Sequence, residues 1–116
     1  GASDREAIRT ATARLQEGWA TGVFLDGTRQ ADGRVNSPLA GASLLAARTG
    51  SRLLPVAIVN SHRVLGTGSI WPRFLPIYLH IGHPIDPPAS RRKADLDLAT
   101  KHLQQTINLM LEKQSY

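Results

Sequence analysis

The stretch from Leu53 to Val59 is the longest apolar run in the chain, broken only by Pro55. It falls far short of the roughly 18 residues that a membrane-spanning helix requires. Flanked by Ser51-Arg52 and Asn60-Ser61, it predicts a strand covered on both faces of a parallel sheet. Pro55, which has no N–H to give a ladder, marks a bulge or a sheet edge within it. Upstream, Val23-Phe24-Leu25 between Gly22 and Gly27 predicts a second short, buried strand. Between the two, Ser37-Pro38 has the form of an N-cap followed by a first-turn proline. A helix is expected from Pro38 to Thr49, with Gly50 as its left-handed stop. Strand, helix and strand from Val23 to Val59 make a βαβ unit with a right-handed crossover. Its first loop, Asp26 to Asn36, then lies at a strand's carboxyl end, where ligands collect.

The flanks extend this pattern. Ser3-Asp4-Arg5-Glu6 has capping-box spacing, and Ile8, Ala11, Leu15 and Trp19 follow at helical intervals, predicting a helix over about 4–17 that stops at Gly18 and packs Trp19. Residues 60–73 show no period and read as a loop, with Trp71-Pro72 as a hinge. Leu75 to Gly82 alternates, placing Ile77, Leu79 and Ile81 on an inner face and Tyr78 and His80 on a wet one. Asp86-Pro87-Pro88 ends that strand. A last helix, Ser90 to Glu112, carries a core-facing stripe of Leu96, Ala99, Leu103, Ile107 and Met110, widened by Leu98, Leu109 and Leu111. The fold class expected is α/β, a βαβ-containing sheet flanked by helices, and 116 residues suit a single core.

Composition narrows the chemistry. The chain has no cysteine, which excludes disulfides, thiolate metal sites and thiol nucleophiles. Its formal charge is +5, and eleven of the fourteen basic residues are arginines, the side chain that holds phosphate through parallel hydrogen bonds. An anionic partner is expected. Nucleic acid is not, because aromatic residues make up only 5%, too few for a stacking platform, and aspartates interleave with the arginines. No metal is expected either: His80 and His83, three apart on a strand, point to opposite faces. Arg91-Arg92-Lys93 opposes a helix dipole at its positive end, so either the helix begins later, at Asp95, or an anion sits nearby; a solvated basic run is the favoured reading.

Phe24-Leu25-Asp26-Gly27-Thr28-Arg29 joins the first strand to a turn offering a glycine for close backbone approach, a hydroxyl and a guanidinium. This run resembles the third signature of the lysophospholipid acyltransferase family, commonly Phe-Pro-Glu-Gly-Thr-Arg. The polar loop that follows, Gly41-Ala42 leading a helix, and Leu54-Pro55-Val56-Ala57-Ile58 are similar to that family's path to its fourth, proline-containing signature. Ser3 to Ile8 and Tyr78 to Pro88 resemble the flanking segments, so the likeness covers most of the chain. Two positions depart: Leu25 stands where proline is usual, and Leu39-Ala40 where lysine is frequent.

The resemblance, closest to the 1-acyl-sn-glycerol-3-phosphate acyltransferases, implies acyl transfer from a thioester, acyl-CoA or acyl carrier protein, onto the free hydroxyl of lysophosphatidate, with no other cofactor. It implies a substrate phosphate-binding role for Asp26, Gly27, Thr28 and Arg29, with Asp26 in place of the usual glutamate, and assigns Pro55 to the fourth signature. The family's catalytic His-x-x-x-x-Asp is not in this sequence: His62, His80, His83 and His102 are followed five positions later by Thr67, Ile85, Pro88 and Ile107. No catalytic residue is therefore assigned. Residues 1–116 are expected to be one partial domain, a C-terminal portion of an acyltransferase domain that is inactive alone. Such a portion is expected to expose an apolar surface that self-association covers. The parent enzyme is expected to be cytoplasmic and peripheral to a membrane surface. The competing reading is a non-catalytic basic module binding anionic lipid headgroups or nucleic acid.

Overall fold

The computed structural model describes residues 2–26, 34–59 and 76–113. Among these the order is α1 (Ala2–Gln16), α2 (Gly41–Thr49), β1 (Val56–Val59), β2 (Tyr78–Ile81) and α3 (Lys93–Lys113). The result is a small sheet flanked by helices, with α2 against both α1 and α3, and α3 against β1. The 60–73 loop and the Trp71-Pro72 hinge lie outside the described residues.

Both glycine stops are where local chemistry puts them. After α1, Gly18 has φ +93°, its N–H donates to the Leu15 carbonyl at 3.1 Å, and the Trp19 N–H reaches back to Arg14 at 3.0 Å. After α2, Gly50 has φ +67° and donates to Ala46, which also accepts from the Ser51 N–H at 3.2 Å. In each case a left-handed residue lets the chain satisfy carbonyls that the ending helix leaves open. The start of α2 differs from expectation. It begins at Gly41, and Ala40 at the N-cap offers no side-chain bond, because Ser37 and Pro38 are held in an interaction with Asp26.

The sheet corrects the expected topology. β1 pairs with β2 antiparallel, Val56 opposite Ile81 and Val59 opposite Tyr78, rather than parallel with a strand at Val23. Val23-Phe24-Leu25 forms no strand; Leu25 is buried while Phe24 is 85% exposed. Its ladder-like bonding goes to the approach of α2, with the Leu39 N–H donating to the Leu25 carbonyl at 2.8 Å. So brief a run lacks the length to distinguish a strand from a buried turn of coil.

Beyond β1 and β2 the pairing continues to Leu53, which exchanges N–H and carbonyl bonds with Ile85 at 2.7 and 2.8 Å. Leu54 and Pro55 thereby face Gly82, His83 and Pro84, one residue more, which is a bulge. Pro55, fully buried, sits opposite it, and its carbonyl takes the Gly82 N–H at 2.9 Å. The bulge expected from the proline is present.

Directly opposed residues share a face of an antiparallel pair. Ala57 and Val59 are buried on the face toward α3, together with His80, whose Nε2 is buried without a hydrogen bond among the described residues. Val56, Ile58, Leu79 and Ile81 lie on the other face, with Leu79 64% and Ile81 68% exposed. The expected polarity of β2 is thus inverted: its aliphatic residues face outward and its histidine inward.

Among the described residues the buried hydrophobic side chains are Leu25, Leu45, Ala46, Ala57, Val59 and Leu103. The Ser43 and Thr100 hydroxyls, both buried, bond at 2.8 Å and tie α2 to α3. The α3 stripe faces inward at Leu103, but Leu98 and Leu109 are exposed, so the stripe is narrower than its sequence suggests. Trp19 is also exposed and packs no core. Arg91 and Arg92 are exposed and precede α3, while Lys93 opens it, so the helix starts between the expected Ser90 and Asp95. The Ser90 hydroxyl accepts the Arg92 N–H and donates to Asp95, closing the helix start.

Candidate functional site: the stem of the 27–33 turn

Two of the sequence-assigned residues, Asp26 and Pro55, are described, whereas Gly27, Thr28 and Arg29 lie outside the described residues. What the structure displays is the pair of segments that flank residues 27–33 in the chain, ending at Asp26 and resuming at Arg34. On the incoming side Asp26 bridges to Pro38. One carboxylate oxygen accepts the Asn36 N–H at 3.1 Å and the other the Ser37 N–H at 3.1 Å. Both oxygens therefore clasp the returning limb, a use that a side chain carrying a single hydroxyl has no means to reproduce.

The returning limb is held again from α3. The Asn108 side chain accepts the Val35 N–H at 2.9 Å and donates to the Val35 carbonyl at 2.9 Å, mimicking with one amide the exchange made between paired strands. Gln104 donates to the same carbonyl at 2.9 Å. Arg34 pairs with Glu112 at 2.9 Å; this partly exposed pair adds little energy by itself. Asp26 and residues 35–37, which flank the 27–33 segment, are thus held by one another and by a helix far away in sequence.

Gln104 and Asn108 were not singled out by the sequence. Their signal was present, however: two amides four apart, flanking Leu103 and Ile107 on an otherwise apolar helix face, where a polar side chain needs a partner. Pro55 serves a different part of the molecule, the bulge beside α3. Its ring lies 3.0 Å from where a Cβ on Gly82 would stand, and the Met110 sulfur 3.1 Å from the same point. Among the described residues no three His, Asp or Glu side chains group as a metal set, and no helix is long and apolar enough to cross a membrane.

No family model matches the chain. Over 89 residues it is 30% identical to the 1-acyl-sn-glycerol-3-phosphate acyltransferase of Borreliella burgdorferi, a match covering 71% of this chain and 35% of that protein. Over 67 residues it is 31% identical to the chloroplastic 1-acyl-sn-glycerol-3-phosphate acyltransferase LPAT1 of Arabidopsis thaliana, covering 58% of this chain and 19% of that one. Among solved structures, the 1-acyl-sn-glycerophosphate acyltransferase PlsC of Thermotoga maritima superposes with a TM-score of 0.65 and 27% identity, over 92% of this chain and 45% of that chain. The chain spans about a third or less of the curated relatives it matches.

Proposed function

We infer that this chain, a member of the 1-acyl-sn-glycerol-3-phosphate acyltransferase family over most of its length, forms the acceptor-phosphate part of an enzyme that acylates lysophosphatidate. In that reaction the acceptor hydroxyl oxygen attacks the thioester carbonyl. The new C–O ester bond forms, the C–S bond breaks, and the thiol of coenzyme A or of an acyl carrier protein leaves with the hydroxyl's proton. No residue here matches the family's base and its orienting carboxylate, so this chain's part is to hold the acceptor. Arg29 binds the phosphate, Gly27 permits close backbone approach and Thr28 adds a hydroxyl donor. Asp26 is a positioning residue: its carboxylate is engaged by the Asn36 and Ser37 N–H groups and would repel a phosphate.

The observation that carries the reading is the doubly held stem. Binding an anion costs ordering entropy, and a binding segment flanked by residues that are already held has less of it to lose. The enzyme works at a membrane surface, where its substrate resides, without a spanning helix from the described residues. The apolar sheet face is covered in this chain by self-association.

The test is calorimetric titration of the chain with hexanoyl lysophosphatidate below its micelle concentration. A charged hydrogen bond is worth about 1.5–3 kcal/mol net, so Arg29→Ala should weaken binding by roughly tenfold to a hundredfold. Arg29→Lys should retain part, since an ammonium keeps the charge but not the two parallel bonds. Equal affinity in a folded Arg29→Ala variant would reduce residues 26–29 to a structural turn.

A further inference from the structure

A groove of about 600 Å³ runs between α1 and α2 and shares no lining residue with the 26–29 turn. Its lining includes Arg5 and Arg9 from α1, Arg48 from the last turn of α2, and Ile8 and Leu44, both half-buried. The acidic side chain in the lining is Asp4, which leaves two positive charges in excess. Arg5 and Arg9 are four apart on one helix face, a spacing at which like charges repel. Neither they nor Arg48 form an ion pair among the described residues, although Arg14 at the end of α1 pairs with Glu17 just beyond it at 3.0 Å.

The depression is open to solvent, and its lining brings three guanidiniums together with two half-buried aliphatic side chains, the two chemistries that an amphiphilic anion presents. We propose that this groove binds one molecule of an anionic phospholipid, its phosphate on Arg5, Arg9 and Arg48 and the start of its apolar body on Ile8 and Leu44. This is a lipid site separate from the acceptor turn, and it does not depend on the role given to Arg29.

The experiment is titration of the Arg29→Ala chain, in which the acceptor site is removed, with three soluble probes: dihexanoyl phosphatidate, dihexanoyl phosphatidylcholine and inorganic phosphate. Phosphatidate should bind at least tenfold more tightly than either of the others. In that background, Arg9→Ala and Arg48→Ala should each weaken phosphatidate about tenfold, while Arg91→Ala/Arg92→Ala, on the exposed run before α3, should leave it within about twofold. Circular dichroism confirms folding; both groove arginines are exposed and their removal empties no core. Equal binding of inorganic phosphate would assign the groove to a free anion, and equal binding of phosphatidylcholine would remove the role of charge. Equal losses in the Arg91/Arg92 control would reduce the effect to general electrostatics. Any of these overturns the proposal, whereas loss of lysophosphatidate binding in Arg29→Ala bears on the acceptor site alone.

Discussion

Asn108 shows how one side chain on a distant helix holds a chain segment it does not belong to. Its amide both donates to and accepts from Val35, at a partly buried position where water replaces lost bonds poorly. Asn108→Ala should therefore destabilise the chain by about 1–3 kcal/mol, the cost of leaving such groups unsatisfied, and weaken lysophosphatidate binding through the loosened stem. Glu112→Ala, which removes the exposed partner of Arg34, should cost at most about 1 kcal/mol. Urea denaturation followed by circular dichroism distinguishes them, and equal midpoints for the two variants would deny the amide its role. The sequence made Asp26 visible through its motif, yet its work as a two-oxygen clasp was not legible. That role depends on where residues 36 and 37 return, a long-range fact that no local pattern encodes.

The elements were readable to the extent that their causes are local. Gly18 and Gly50 end their helices with positive φ because the left-handed conformation costs glycine little, and Pro55 signalled its bulge because a missing N–H has the same consequence in any sheet. Strand partnership was not readable. Leu53 to Val59 is apolar throughout and so read as covered on both faces, whereas β1 has an antiparallel neighbour and one open face. The alternation of β2 likewise identified two faces but not which of them α3 would cover. At the bulge the packing is close enough to test. A Cβ on Gly82 would lie 3.0 Å from the Pro55 ring and 3.1 Å from the Met110 sulfur; the methionine tip can turn aside but the buried ring is held by its own backbone. Gly82→Ala should thus destabilise by about 1–3 kcal/mol through overpacking. Met110→Ala in the same background should not relieve it, because the tighter contact is with the proline. Full recovery of the denaturation midpoint in that double variant would show that the sulfur, not the ring, sets the limit.

For the molecule as a whole, the outward face of the sheet is the feature that its small core leaves unresolved. Leu79 and Ile81 are 64% and 68% exposed on the face they share with Val56 and Ile58, and Ile77 continues the row at 50% exposure. Contiguous apolar surface of this kind is covered in most proteins by another layer or another chain, and among the described residues no third strand pairs with either edge of the sheet, which adds a further route to association. The net charge of +5 opposes association at low salt but is screened beyond about 8 Å at physiological ionic strength, so the apolar term should win as salt rises. The chain should consequently self-associate in a concentration-dependent way, more strongly at 0.5 M than at 0.05 M salt. Leu79→Lys/Ile81→Lys places two charges on the open face and should hold it monomeric at both. Because both side chains are largely solvated already, the double variant should unfold within about 1 kcal/mol of the parent, twice the usual single-site surface effect. Light scattering across that salt range reads the outcome directly: a parent chain that stays monomeric at high salt and high concentration would mean that its aliphatic face is tolerated bare, and that self-association is not how it is covered.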